Sequence, residues 1–155
     1  LPLVDLFLVD VKTMDDAAHR KATGLSNVRT LENLRRLDDL GKPLVIRTPV
    51  VGGFNERPEQ IGAIADFLAT LRNVKQYDLL PYHPLGTGKR DSLGLVETRP
   101  EFRTPTAAEL DILAAVASRP NYMVKVAGAQ AAKSDAAAAQ PKRPNIESTQ
   151  SSILS

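Results

Sequence analysis

The chain has 155 residues, 43% of them hydrophobic and 25% charged, which is ordinary for a single soluble globular domain or a piece of one. The formal net charge is +2 and the basic residues form no stripe, so neither a nucleic-acid surface nor an anionic-membrane surface is indicated. Cysteine is absent, which excludes a disulfide, a thiolate nucleophile and a thiolate-bound iron–sulfur cluster within this sequence, and no apolar run is long enough to cross a bilayer.

Short apolar runs alternate with helical patterns along the chain. The predicted strands are Leu3–Val9, Pro43–Arg47 and Val74–Leu80, and Asn121–Val126 is compatible with a fourth. The predicted helices are a leucine-rich one that begins at the cap Asn27 and ends at Gly41, one opened by Asn55 and Pro58, and one that runs from the capping box Thr106–Glu109 to about Ser118. This alternation predicts the α/β class, with βαβ units and a parallel sheet. Three such units are too few to close a barrel, so half of a barrel or a partial one is expected.

The remaining segments are predicted to be irregular. Thr13–Ser26 is polar and predicts a loop with at most a short helical turn, and Pro81–Pro105 predicts a long loop. Residues 1–128 would form the folded unit, and residues 129–155, rich in Ala, Lys, Ser and Gln, a disordered low-complexity tail. Leu3–Val9 fits a strand buried on both faces. Because the chain starts with Leu1 just before such a strand, we expect that material normally lying upstream is missing.

Polar side chains follow the three main predicted strands. Asp10 and Lys12 follow the first strand two residues apart and so share a face, Arg47 ends the second, and His83 follows the third. Because the carboxyl ends of parallel strands meet at one edge of the sheet, these four residues would line one mouth. A guanidinium, an ammonium and a carboxylate together suit a small zwitterionic or anionic ligand.

Each of these residues also has a purely structural interpretation. Asp10 and Lys12 form an ordinary ion pair in that view, and Arg47 holds a neighbouring loop. A lone histidine after a turn is more often structural than functional. The glycines Gly52 and Gly53 most simply make a turn with positive φ. From spacing alone, the two interpretations of the mouth remain open.

Several motifs in a fixed order carry a resemblance to a known family. They are Val9–Lys12, Asp15–His19, Thr23–Asn27, the leucine-rich helix ending at Gly41-Lys42, Ile46–Asn55, and Leu79–Gly86 followed by Lys89. In this order and spacing, from about Leu3 to Val126, the sequence resembles the glycyl-radical-enzyme activating enzymes of the radical S-adenosylmethionine superfamily, the pyruvate formate-lyase activating enzyme being the best-known type. One departure is Gly52, where the family usually has proline.

The resemblance implies a fold, an activity, cofactors and partners. The fold would be the C-terminal half of a partial (βα)6 radical S-adenosylmethionine barrel. The family holds a 4Fe–4S cluster and cleaves S-adenosylmethionine reductively to a 5′-deoxyadenosyl radical, which abstracts hydrogen from a glycine of a partner enzyme. The partners would be a glycyl radical enzyme of the formate-lyase or dehydratase type and an electron donor such as flavodoxin or ferredoxin. Anaerobic metabolism in the cytoplasm is implied in the same way.

The resemblance also gives roles to the residues of the mouth. Asp10 would lie near the methionine end of S-adenosylmethionine or near a bound monovalent cation. Lys12, Arg47 and His83 would contact S-adenosylmethionine, and the loop from Pro84 to Pro105 would lie near the incoming glycyl peptide. No residue is identified as a catalytic acid or base, and no metal ligand is identified in this chain.

The cluster cysteines of the family have no counterpart in this sequence. We therefore expect an inactive fragment of a radical enzyme, one that does not cleave S-adenosylmethionine on its own. Two alternatives stay open: a cluster-free module that docks a partner on a half barrel, and a half barrel that binds a phosphate or carboxylate metabolite. In a half barrel the first strand has an exposed edge, which predicts self-association.

Overall fold

A computed structural model gives the fold and describes residues 3–83 and 102–127. The elements in chain order are β1 (Phe7–Asp10), α1 (Asp16–Thr23), α2 (Val28–Asp39), β2 (Leu44–Val50), α3 (Pro58–Ala69), β3 (Val74–Pro81), α4 (Ala107–Ala117) and β4 (Met123–Val126). The predicted α/β class and the predicted order of strands and longer helices are confirmed. The predicted tail, residues 129–155, and most of the predicted long loop, residues 84–101, lie outside the described residues.

The four strands form one parallel sheet in the order β1-β2-β3-β4. Each strand is therefore hydrogen-bonded to the strand that follows it in the chain, and the helices make the connections between them. The residues of β2 alternate between buried and half-buried positions, which shows that only one face of the sheet is tightly covered. The arrangement is consistent with a partial barrel.

The covered face holds the hydrophobic core. Its fully buried large side chains include Leu34, Leu44, Ile46, Ile61, Ile64, Leu68, Val74, Tyr77, Leu79 and Leu113. The tyrosine is accommodated because its hydroxyl lies 3.0 Å from the hydroxyl of Thr48, which itself donates to the carbonyl of Val11 at 2.6 Å. Burial raises the pKa of Tyr77 far above its usual value, so this hydroxyl stays protonated.

The other face of the sheet is much more open, and this corrects the prediction for the first strand. The run Leu3–Val9 was expected to be buried on both faces, yet the strand is only Phe7–Asp10 and Leu8 is 54% exposed. No helix among the described residues covers the face on which Leu8 and Met123 lie, so apolar sequence alone does not mean burial there.

The segment before α2 is more ordered than its polar sequence predicts. Instead of a loop, Asp16–Thr23 forms helix α1, whose first turn is capped by the Asp15 carboxylate accepting from the amide of Ala18 at 3.0 Å. The helix ends at Gly24, which has a φ of 78°. Local capping at both ends therefore defines an eight-residue helix with no buried residue.

Two predicted caps behave differently. The capping box of Thr106 and Glu109 is confirmed at the start of α4. Asn27 does precede α2, but its side chain makes no capping bond. Its side-chain Nδ2 instead donates to the carbonyls of Thr13 and Met14, at 2.9 and 3.0 Å, and so fixes the chain that leaves β1.

Candidate functional site

Asp10, at the end of β1, bonds to two cations. Its strand partner in β2 is Arg47, whose Nε donates to Asp10 Oδ1 at 3.0 Å, with Nη2 2.9 Å from the same oxygen. The Nζ atom of Lys12 lies 3.4 Å from Asp10 Oδ2. The structure therefore brings together three of the four residues predicted to line the mouth.

The cluster has the charge and the exposure that a small ionic ligand needs. Asp10, Lys12 and Arg47 carry a net single positive charge, and their side chains are 32%, 36% and 37% exposed. Ion pairs this open to water stabilise a fold only weakly, by roughly 0–1 kcal/mol. Both cations retain N–H groups beyond those bound to Asp10, and these can donate to a ligand carboxylate, while Asp10 can accept from an ammonium group.

His83 lies just beyond the end of β3 and is exposed. In the part of the chain that the structure describes, no hydrogen bond or ion pair joins it to Asp10, Lys12 or Arg47. Its neighbour Tyr82 is held in place, because the Tyr82 amide donates to the carbonyl of Val50 at 2.9 Å. His83 is thus at the predicted edge of the sheet, and its contact with a ligand stays a prediction.

The open face carries a longer row of charges than the sequence indicates. In the sheet register Asp10 pairs with Arg47, Arg47 with Asp78, and Asp78 with Lys125, so the signs alternate across all four strands. Residues in register in a parallel sheet share a face. Asp78 and Lys125 are not predicted as site residues, because the sequence does not determine the register between strands. The available signal for Asp78 was its carboxylate two residues before the end of the predicted strand Val74–Leu80.

A buried asparagine bonds to the backbone of Lys12, one of the residues of the mouth. Asn55 is 0% exposed, and its Nδ2 donates to the carbonyl of Lys12 at 2.7 Å and to that of Pro49 at 2.9 Å. Its Oδ1 accepts from the amide of Val51 at 2.8 Å. The sequence suggested that Asn55 opens a helix, but α3 is preceded by Arg57. The role of Asn55 is to bind the chain after β2 to the chain after β1.

The segment that enters α4 is fastened to the turn after β2. The amide of Gly52 donates to the carbonyl of Arg103 at 2.9 Å, and the amide of Arg103 donates back at 3.3 Å. The Arg103 guanidinium binds both carboxylate oxygens of Glu109, at 2.7 and 2.9 Å, and lies 2.5 Å from Glu56. The Thr104 hydroxyl also donates to the carbonyl of Tyr82 at 2.7 Å. Together these contacts join the segment that enters α4 to the turn after β2 and to the end of β3.

Metal-binding clusters and membrane-spanning helices are both absent from the described ranges, 3–83 and 102–127. No group of three or more His, Asp or Glu side chains there is arranged to hold a metal ion. No helix in the same ranges combines the length and the apolar character that crossing a membrane requires.

Comparison with known proteins identifies relatives with related names. No family model matches the chain. The chain is 48% identical over 91 residues to the isethionate sulfite-lyase activating enzyme of Nitratidesulfovibrio vulgaris, a match covering 57% of the chain and 29% of that protein. It is 35% identical over 106 residues to the pyruvate formate-lyase-activating enzyme of Streptococcus mutans, covering 68% of the chain and 40% of that protein. It is also 35% identical over 115 residues to the indoleacetate decarboxylase activating enzyme of Tractidigestivibacter scatoligenes, covering 74% and 36%.

A solved structure agrees with the sequence relatives. A domain of the pyruvate-formate lyase-activating enzyme of Bacteroides vulgatus superimposes with a TM-score of 0.65 at 26% identity, covering 80% of this chain and 68% of that one. The matches span between 29% and 40% of the lengths of the three curated relatives named above. Sequence and fold together confirm the resemblance that the motifs indicate: this chain is a homologue of part of the glycyl-radical-enzyme activating enzymes.

Proposed function

We propose that this chain contributes part of an S-adenosylmethionine site to an enzyme that activates a glycyl radical enzyme. The observation that carries the proposal is the cluster of Asp10, Lys12 and Arg47 at the carboxyl ends of β1 and β2. The names of the relatives support the activating role. The partly exposed cluster, with two cations and one carboxylate, supports a zwitterionic ligand.

The residues of the cluster fit the methionine end of the ligand by charge. Arg47 and Lys12 would bind its carboxylate, and Asp10 would accept from its ammonium group while holding both cations in position. His83, exposed at the end of β3, would contact another part of the same molecule. Asn55 would hold the backbone of Lys12 in position, since its side-chain amide donates to the carbonyl of that residue.

S-adenosylmethionine held by these residues would supply the radical that removes a hydrogen atom from a glycine of the partner. The residues of this chain would contribute binding, orientation and protection from side reactions. A 4Fe–4S cluster does not fit the residues present, because cluster ligation needs thiolates and the sequence has no cysteine. We therefore expect that the purified chain alone, after cluster reconstitution, forms no deoxyadenosine. The partner would be a glycyl radical enzyme, with flavodoxin or ferredoxin as electron donor.

Calorimetric titration with S-adenosylmethionine tests the proposal directly. We expect the native chain to bind and the Lys12→Ala/His83→Ala variant to lose about tenfold or more in affinity, since one charge-assisted hydrogen bond is worth about 1.5–3 kcal/mol. Arg36→Ala/Lys75→Ala is a control, because both residues are exposed and lie at the opposite edge of the sheet, Arg36 in the last turn of α2 and Lys75 near the amino end of β3.

The possible outcomes separate the proposal from its alternatives. Equal affinity in the native chain and the cluster variant would contradict the assignment of these residues. Stabilisation against thermal unfolding by a phosphorylated metabolite but not by S-adenosylmethionine would favour a metabolite-binding half barrel instead.

A further inference from the structure

A groove lies beside the mouth, between α1 and the segment that leads into α3. Its volume is about 330 Å³, and its apolar surface comes from Ala18, Ala22, Phe54 and Phe102. Lys21 and Arg57 also line it. The groove thus combines aromatic and aliphatic surface with two cationic side chains.

The two cations are available to a binding partner. Lys21 and Arg57 are exposed, and no carboxylate in residues 3–83 or 102–127 lies within 4.0 Å of either as an ion pair. The carboxylate of Asp15 also lines the groove, but it accepts the amide of Ala18 as the cap of α1. The charge complementary to the groove is therefore negative.

Hydrogen bonds and a ring contact connect the lining of the groove to the residues of the predicted ligand site. Asn55, next to Phe54, bonds the carbonyl of Lys12 at 2.7 Å. Phe102 packs edge-on against Tyr82 with ring centroids 6.2 Å apart, and the next residue is Arg103, which is bonded to Gly52. An occupant of the groove would therefore lie beside the mouth formed by Asp10, Lys12 and Arg47.

The composition of the groove suits a polypeptide better than a metabolite. Specific small-molecule sites depend on a few well-placed polar groups. Here the half-buried Gln60 is already engaged, since its Nε2 donates to the carbonyl of Phe54 at 3.1 Å and its Oε1 accepts from Arg57. Aromatic side chains and arginine are enriched at protein–protein interfaces, and both line this groove.

We propose that this groove docks an extended segment of the partner protein in which an apolar or aromatic side chain is flanked by carboxylates. The identity of that partner as the glycyl radical enzyme rests on the proposed function. The aromatic side chain would occupy the space between Phe54 and Phe102, and the carboxylates would meet Lys21 and Arg57. The groove would hold the partner while its glycine enters the mouth nearby.

Fluorescence anisotropy with a defined peptide tests this proposal. The probe is a fluorescein-labelled pentapeptide with a central phenylalanine flanked by two aspartates, and its counterpart carries lysines instead. We expect the chain to bind the acidic peptide and to discriminate against the basic one. Lys21→Glu/Arg57→Glu should weaken binding of the acidic peptide about tenfold or more.

Arg36→Glu/Lys75→Glu makes the same change of charge at the opposite edge of the sheet, in the last turn of α2 and near the amino end of β3, and should leave binding unchanged. Circular dichroism on each variant verifies that it is folded, and Phe102→Leu, which keeps an apolar side chain, should weaken binding without reversing charge. Equal binding of both peptides, no binding of the acidic peptide, or equal loss in the control variant would each overturn the proposal.

Titration of Lys21→Glu/Arg57→Glu with S-adenosylmethionine separates the two sites. We expect unchanged affinity for S-adenosylmethionine in this variant, and failure of that ligand to bind any variant would count against the proposed function alone.

Discussion

At the scale of single residues, Thr48 supports the core more than its size suggests. Its only hydroxyl hydrogen goes to the carbonyl of Val11, so the buried Tyr77 hydroxyl must be the donor in the 3.0 Å contact between the two side chains. Thr48→Val leaves both the Tyr77 hydroxyl and the Val11 carbonyl without a hydrogen-bond partner among the described residues. We expect it to lower the free energy of unfolding by about 2–4 kcal/mol, whereas Tyr77→Phe should cost only about 1 kcal/mol. Urea denaturation of both single variants and the double variant measures the difference, and a larger loss for Tyr77→Phe would contradict this donor assignment.

Gly52 is constrained by a neighbour rather than by its own backbone. Its φ is not positive, but a Cβ there would lie 2.1 Å from Cγ of Arg103 and 2.9 Å from the Arg103 carbonyl oxygen. The predicted turn with positive φ therefore holds for Gly53 alone, at 85°. A proline at position 52 would also lack the amide that donates to Arg103. Glycine in place of the family's usual proline at position 52 is thus compatible with the Arg103 contact, which proline would not allow.

Two glycine substitutions should consequently have effects of opposite sign. Gly52→Ala should destabilise the chain by about 1–3 kcal/mol, because Arg103 has to move. Gly62→Ala, in the middle of α3, should stabilise it by about 0.5–1 kcal/mol, because its Cβ meets only Val116 at an ordinary 3.5 Å. Thermal unfolding of the two variants measures both changes. A stabilised Gly52→Ala protein would show that the Arg103 contact is not maintained in solution.

At the scale of elements, acidic residues in the first turns of α1 and α4 should determine stability in acid. The bonds from Arg103 and Thr106 lower the pKa of Glu109 from 4.5 to about 2, and those from Ser26, Arg20 and the Asn27 amide lower the pKa of Asp16 from 3.8 to about 2. A carboxyl whose pKa is lower in the folded state stabilises that state when ionised. This contribution is complete above the unfolded-state pKa and is lost as the pH falls towards 2.

Removal of these carboxylates should flatten the dependence of stability on pH. The melting temperature of the native chain should fall between about pH 4.5 and 2, and that of Glu109→Gln should fall less steeply over the same window. Glu32→Gln is a matched control, because Glu32 is an exposed glutamate on α2. Parallel slopes for the native chain and Glu109→Gln would show that the Arg103–Glu109 pair does not persist in acid.

The sequence predicts some elements well and others poorly, for identifiable reasons. α3 and α4 bury several apolar side chains each, so their patterns are strong, and the capping box at Thr106 marks a start that the structure reproduces. α1 buries none and depends on Asp15, Gly24 and the bond from Ser26 to Asp16, which lie outside any apolar pattern. In the site, the i, i+2 spacing predicted that Asp10 and Lys12 share a face. The Asp78–Lys125 part of the charged row depends on strand register, which spacing within one strand does not determine.

At the scale of the whole molecule, β1 is one of the two edge strands of the described sheet. It pairs with β2 alone, and no strand among the described residues pairs with its other edge. Leu8 and Met123, both more than half exposed, add apolar surface at the two ends of the same open face. An unpaired edge beside apolar side chains favours strand pairing with another copy. We therefore keep the prediction that the chain self-associates.

Substitution of the edge strand tests this prediction. Leu8→Lys places a charge on β1 without disturbing the core, because Leu8 is 54% exposed and belongs to the open face. Sedimentation velocity should show association of the native chain with rising concentration and less association of Leu8→Lys at the same concentrations. Leu25→Lys, at a 70% exposed position between α1 and α2, should associate like the native chain. A native chain that stays monomeric at all concentrations would mean that the edge is protected in solution, and an equal decrease in both variants would place the contact elsewhere.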